Sequence, residues 1–372
     1  MTPLAGTAAP TPCFLFKNGA AASPPLASPP VTTFLETHPG AYTATRTFNN
    51  AASLLFWDRH VRRLPQSLRT LLTSNPKLLF GPRIDKGLEI SNLGIDLEAV
   101  VRGRVGETMR EAVRAAMRER KEGEELMVTA LIGGNVKRLG EIGGVVEGEE
   151  ELGRILDVYV HVGMFMVTRV GVEEEEGACL AVVRGRRDVA LAKYSDWVRL
   201  RKPLEKMKPV TISEALLSED GDKLLEGCRT NFFIVSLKEN CHFEGENSHA
   251  GAVWASYEVQ TAPLQDSVLP GVVRKLVIEI CISKGITVRE VSPSWSARET
   301  WEEAFITNSV RLVQHVVRIQ APKPWTSLQS KVWEEVSWEE KQFKRNPGIV
   351  TALIQKEIIE IAHVEGYPLV LV

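Results

Sequence analysis

Lys193, Glu226 and the turn Leu269-Pro270-Gly271-Val272-Val273-Arg274 have residue types and an order that fit one piece of chemistry. A lysine amine condenses with an aldehyde to a Schiff base, and a carboxylate keeps a pyridine nitrogen protonated. A Pro-Gly turn that opens a helix offers backbone amides to a phosphate. The three jobs together describe a pyridoxal phosphate site. Each residue also has a plainer reading. Most lysines are surface charges, as Lys202, Lys206 and Lys208 read here, and Glu226 alone reads as a charge flanking a turn. Glu226 follows Lys193 by 33 residues (226 − 193), inside Leu224-Leu225-Glu226-Gly227-Cys228-Arg229-Thr230-Asn231-Phe232-Phe233.

Three further segments extend the pattern. Thr307-Asn308-Ser309-Val310 follows a short apolar strand and offers hydroxyl and amide groups for a second phosphate contact. His60-Val61-Arg62-Arg63-Leu64 supplies guanidinium forks, which match phosphate bidentately. Gly40 to Arg46 alternates small or polar with larger residues, as a strand lining a pocket would. In order and spacing, the chain from about Phe14 to about His363 resembles the class IV aminotransferase family. That family includes branched-chain and D-amino-acid aminotransferases and aminodeoxychorismate lyases.

The resemblance implies an α/β (α+β), two-lobed, fold type IV architecture of the D-amino-acid aminotransferase kind, with pyridoxal 5'-phosphate as cofactor. It implies that Lys193 forms the Schiff base and moves the substrate Cα proton, and that Glu226 faces the pyridine nitrogen. Asn231 falls on the asparagine of a Glu-x-x-x-x-Asn-hydrophobic-Phe segment. Arg63, rather than Arg62, matches the arginine that pairs with the phosphate, and His60 is then a structural partner. Gly271 with the amides of Val272 and Val273, and Thr307, Asn308 and Ser309, complete the phosphate cradle. Tyr42, Thr43, Arg46, Cys228 and Arg229 fall in the substrate pocket. A homodimer and a small amino-acid or amino-group substrate follow from the same resemblance.

The chain departs from the family pattern in places that bear on the reaction. Branched-chain enzymes carry Gly-Gly-Asn-Tyr after the lysine; this chain has Tyr194-Ser195-Asp196-Trp197. Thr307-Asn308-Ser309-Val310 and Thr43-Ala44-Thr45-Arg46 lean toward the lyases, and Gly133-Gly134-Asn135 stands where the family often has an arginine. An aminotransferase acting on an amino acid is the favoured reading. A carbon–carbon lyase of the aminodeoxychorismate type and a non-catalytic pyridoxal phosphate-binding protein remain as alternatives.

Composition bounds these readings. At 372 residues the chain has room for two ordinary domains. We place these at 1–152, a small α/β lobe carrying Arg63, and 153–372, a larger lobe carrying Lys193, with the Gly/Glu-rich run Gly140 to Gly153 as the linker. A net charge of −2 offers no attraction to nucleic acid or acidic membranes. Helix Arg102 to Arg120 mixes glutamates with its arginines and has no interleaved aromatics, so it reads as a solvated face. The five cysteines lack metal-ligand spacing, no metal is expected, and no apolar run approaches the roughly 20 residues of a membrane span. The first 35 residues hold no acid, as in a transit peptide, yet Cys13 to Gly19 reads as a strand ending in an Asn-Gly turn. A cytoplasmic location is the preferred expectation, an organelle the alternative.

Periodicity sets the remaining expectations. Strands are expected at Ser53–Trp57, Glu125–Ile132, Leu156–Val167, Ala178–Arg184, Asp188–Ala192, Glu214–Leu217, Phe232–Val235 and Ala304–Thr307. Helices are expected at His60–Leu72, Leu97–Arg120, Tyr194–Leu204, Val272–Lys284 and Pro347–His363.

Overall fold

The computed structural model describes residues 12–24, 27–82, 89–90, 96–143, 145–166, 177–238, 250–326 and 333–369. The chain divides into two units, Met1–Thr168 with Tyr367–Val372, and Arg169–Gly366. The division falls at residue 168 rather than in the Gly/Glu run. The strand that follows this run pairs over its whole length, Leu156 to Met166, with Glu124–Gly134, and so belongs to the first unit. The run itself is not a linker loop. Gly148 caps a short helix whose first turn holds Glu149, Glu150 and Glu151, where negative charge suits the helix dipole.

In chain order the first unit contains β1 (Cys13–Lys17), β2 (Ala20–Ala21), α1 (Val31–Thr37), β3 (Ala41–Phe48), β4 (Ser53–Leu54), α2 (Trp57–Ser74) and α3 (Lys77–Phe80). There follow β5 (Glu89–Ile90), α4 (Leu97–Glu119), β6 (Glu124–Gly134), α5 (Val136–Glu141), β7 (Val145–Val146), α6 (Glu149–Ile155) and β8 (Leu156–Met166). Seven strands form one sheet, ordered β18-β4-β3-β6-β8-β1-β2, the first being Tyr367–Pro368 from near the end of the chain. Helix α2 packs on β3 and α4 on β8. The expected strand Ser53–Trp57 is cut short because α2 starts at Trp57, behind Phe56 in the left-handed region (φ 48°). The Asn-Gly turn after β1 is present: Asn18 and Gly19 have φ of 48° and 85°, and the buried Asp157 binds Asn18 Nδ2 at 2.9 Å and Lys17 Nζ at 2.9 Å.

The second unit contains β9 (Ala178–Arg184), α7 (Trp197–Leu200), α8 (Lys202–Glu205), β10 (Glu214–Ser218), β11 (Leu224–Gly227), β12 (Asn231–Leu237), α9 (Ala250–Ala255) and β13 (Tyr257–Thr261). It continues with α10 (Val272–Ser283), β14 (Thr287–Glu290), β15 (Trp301–Asn308), β16 (Leu312–Lys323), β17 (Ser337–Gln342) and α11 (Ile349–Glu365). Strands β11, β10, β9, β16, β15 and β12 are neighbours in that order, and β11 also pairs with β12, so the six close into a ring. Alternate residues of all six strands meet inside it: Leu180, Val182, Leu216, Leu224, Phe232, Ile234, Ile306 and Ile319. Two expectations fail beside Lys193. Residues 188–191 are turn, not strand, and Tyr194–Leu204 is broken into two short helices, with Pro203 starting the second.

Candidate cofactor site

The pair that closes the ring is Glu226 on β11 against Asn231 on β12. Asn231 in turn stands opposite Thr307 on β15. Three strands therefore bring these three side chains side by side, although 81 residues (307 − 226) separate the outer two.

Glu226 is buried at 1% exposure, and its carboxylate accepts from three donors, which leaves one of its roughly four lone-pair sites open. Oε1 accepts from Arg187 Nε at 2.9 Å, and Oε2 accepts from the Leu269 amide at 2.9 Å and from Asn231 Nδ2 at 3.3 Å. Asn231 Nδ2 also donates to the Leu269 carbonyl at 2.9 Å, tying the strand pair to the turn before α10. Arg187 is 3% exposed and lies over the Trp197 ring at 4.5 Å. The Trp197 indole N–H donates to the Cys228 carbonyl at 2.8 Å. The half-buried Lys193 thus sits in a loop anchored on both sides, six residues back by Arg187 and four on by Trp197, to the strand end that carries Glu226. The phenol of the buried Tyr194 donates to Asp188, closing that loop once more; burial and the Asp188 carboxylate both raise its pKa.

Helix α10 begins at Gly271 with no side-chain cap, so its first-turn amides, Val272 and Val273 among them, are offered to an external acceptor. A Cβ at 271 would lie 2.1 Å from Asn231 Oδ1, so any other residue there must displace that side chain. Arg274, the last residue of the turn motif, points inward, giving Nη2 to the Ala262 carbonyl at 2.9 Å and to Glu290 at 2.7 Å. Thr307 is 2% exposed, and its hydroxyl has no hydrogen-bond partner among the described residues. A buried hydroxyl without a partner is costly, and an incoming phosphate oxygen would relieve it. Asn308 turns its Oδ1 back to the Val310 and Arg311 amides at 2.9 and 2.8 Å, shaping the loop that holds Ser309. Open amides, a side-chain-free capping residue and an unsatisfied hydroxyl suit a phosphate monoester.

The remaining candidates have the following surroundings, each within its own unit. Cys228 is fully buried, and burial, with the Glu214 and Glu205 charges, raises its thiol pKa. Arg229 turns to Glu205 and Glu214 at 3.4 and 3.7 Å. In the first unit, Tyr42, Thr43 and Arg46 lie on β3, and Arg63 lies on the buried face of α2. Arg63 Nη2 donates to Thr43 Oγ1 at 2.7 Å, and Thr43 Oγ1 pairs with His60 Nδ1 at 2.7 Å. Arg62 is exposed and bonds its own helix, Nε to the Asp58 carbonyl at 3.3 Å. Arg46 is buried, with Nη1 donating to the Thr47 carbonyl at 3.0 Å. Arg187 is the residue that sequence reasoning missed. It stands in Arg184-Gly185-Arg186-Arg187-Asp188, which reads as a charged surface loop, and nothing in the residue types marks which arginine turns inward.

Residues 183–319 match the family described as Amino-transferase class IV. The likeness to solved aminotransferase structures extends beyond that stretch, over nearly the whole chain. A branched-chain aminotransferase from the thermophilic archaeon Thermoproteus uzoniensis, solved with norvaline, is 18% identical at a TM-score of 0.58, over 96% of this chain and 99% of that one. A fold IV-transaminase from Curtobacterium pusillum gives 14% and 0.57, over 95% and 99%. A hypothetical aminotransferase from Mycobacterium tuberculosis in its PLP-bound form gives 13% and 0.57, over 94% and 99%. At these identities the likeness is one of fold. No curated protein matches the chain. Among the described residues no helix is long and apolar enough to cross a membrane, and no group of side chains could hold a metal ion.

Proposed function

We propose that the chain is a pyridoxal phosphate-dependent aminotransferase acting on an amino acid, with Lys193 as the residue that holds the cofactor and moves the substrate Cα proton. The observation that carries this reading is the ring closure at Glu226 and Asn231. It sets a buried, ion-paired carboxylate beside an uncapped helix start and the unsatisfied Thr307 hydroxyl. When bound, the cofactor supplies an electron sink for cleavage of a bond at the substrate Cα. In this reading Glu226 holds the pyridine nitrogen, Asn231 fixes Glu226 against the Leu269 turn, and Val272, Val273 and Thr307 bind the phosphate.

The test is direct. Purified protein titrated with pyridoxal phosphate should gain visible absorbance, and borohydride should fix the cofactor on the peptide containing Lys193. Lys193→Ala should abolish both, with melting of the cofactor-free protein little changed. Labelling of a different lysine would overturn the assignment. A screen of L- and D-amino acids and of aminodeoxychorismate, read by whether the cofactor ends as the pyridoxamine form or returns to pyridoxal, separates transamination from the lyase alternative.

A further inference from the structure

Twelve residues before Glu226 (226 − 214), a second glutamate is almost as deeply buried. Glu214 opens β10 at 4% exposure and packs beneath the strand that carries Glu226. A Cβ placed on Gly227 would meet Glu214 Cγ at 2.9 Å and the Thr230 hydroxyl at 2.1 Å. Glu214 Oε1 and Thr230 Oγ1 both lack a hydrogen-bond partner among the described residues.

The charges facing Glu214 come from three segments. Arg229, in the turn between β11 and β12, has Nε 3.7 Å from Glu214 Oε2, too far for a hydrogen bond. The same Nε is nearer, at 3.4 Å, to Glu205 of α8, which Arg201 also reaches at 3.3 Å. Arg229 Nη2 donates to the Ser213 carbonyl at 3.3 Å. Lys208, beyond α8, donates to the Ile212 carbonyl, and the buried Cys228 thiol lies on the strand side. A carboxylate so poorly partnered is costly to bury. Desolvation, with Glu205 adding to it and Arg229, Arg201 and a backbone hydrogen bond from Ala215 opposing it, pushes the Glu214 carboxyl up to about 7.

We propose that Glu214 is a positioning residue for the 227–230 turn: a proton-controlled latch that keeps Glu226 and Asn231 in register while neutral. On ionising, it draws Arg229 away from Glu205 and loosens that register. Arg229 sits in the middle of the turn joining the two strands, so the choice of its side chain between Glu205 and Glu214 is made within the loop that links Glu226 to Asn231. The functional weight of the latch rests on the reading of those two residues as cofactor ligands. The sign follows from the raised pKa. The stabilisation is complete below the carboxyl's ordinary range and is lost as pH rises through about 7.

The test is hydrogen exchange at the amides of residues 227–231, together with melting, on cofactor-free protein between pH 5.5 and 8.5. Wild-type protection, corrected for intrinsic exchange, should fall by about tenfold across that range, the size of one pKa unit. Glu214→Gln should show no such step. Glu205→Gln should move the wild-type step to lower pH, because it frees Arg229 for Glu214. Titration with pyridoxal phosphate at pH 6 and pH 8 should then give a larger ratio of affinities for wild type than for Glu214→Gln. A wild-type step that survives in Glu214→Gln overturns the latch. So does a step in melting with no change in turn protection, which would make Glu214 merely structural. Should Glu214→Gln fail to fold, an unshifted step in Glu205→Gln overturns the proposal alone. If no protein binds the cofactor, the proposed function fails while the exchange data still decide the latch.

Discussion

Glu226 and Glu214 stand on adjacent strands of one ring, at 1% and 4% exposure, yet their surroundings differ in kind. Glu226 has a buried arginine on one oxygen and two N–H donors on the other. Glu214 has one oxygen with no partner and a half-exposed arginine at 3.7 Å, already shared with Glu205. Depth alone therefore does not decide how firmly a carboxylate is held; the donor set does. A carboxylate held by three donors suits a fixed electrostatic role, whereas a poorly partnered one responds to pH.

The sharpest way to break the contrast is to make Glu226 resemble Glu214. Arg187→Ala leaves a buried carboxylate without its cation and should destabilise the cofactor-free protein by about 3–5 kcal/mol in urea denaturation. Adding Glu226→Gln should recover part of that loss; a strictly additive double variant would mean that the ion pair is not the source. Gly271→Ala attacks the same region sterically. Its Cβ would fall on Asn231 Oδ1, and a loss of roughly 1–3 kcal/mol is expected as Asn231 is displaced. Weaker protection of the Leu269 amide should accompany it.

Glu214 should respond in the opposite direction. At pH 8, Glu214→Gln should be more stable than wild type by roughly 1–2 kcal/mol, and at pH 5 the difference should vanish. Equal stability at both values would place the Glu214 carboxylate in better company than its neighbours indicate. The smallest effect belongs to Thr307→Val. Removing an unpartnered hydroxyl should leave cofactor-free stability within about 0.5 kcal/mol. Affinity for pyridoxal phosphate should fall by about three- to tenfold, one neutral hydrogen bond. Unchanged affinity would take Thr307 out of the phosphate site.

The same contrast marks what sequence could and could not reveal. Elements with strong local signals were legible: α4 behind its Asp96 cap, β9, and α10 starting after Pro270-Gly271 all lie within a residue or so of expectation. Glu226, Asn231 and Thr307 could be picked out as a pattern from types and spacing, and strand pairing does set the three side by side. Partners were not legible. That Arg187 rather than Arg186 turns inward, and that Glu214 lies under Gly227, are decided by ring closure among strands far apart in sequence. Residues 188–192 misled because their alternation imitates a strand, while the Asp188–Tyr194 bond folds them into a turn.

The strand Tyr367–Pro368 gives the first unit a history as well as an edge. Its sheet is finished only when Tyr367 pairs with Leu54, and the Leu369 amide then reaches the Ala52 carbonyl at 2.9 Å, just past the left-handed run Asn49-Asn50-Ala51. On a ribosome adding about 5–20 residues per second, the 199 residues from 168 to 367 take roughly 10–40 s to emerge. For that interval β4 is an open border next to a strained turn, while the whole of the second unit is being synthesised. The first unit is begun first and completed last, and its nascent form must wait with an unpaired strand exposed.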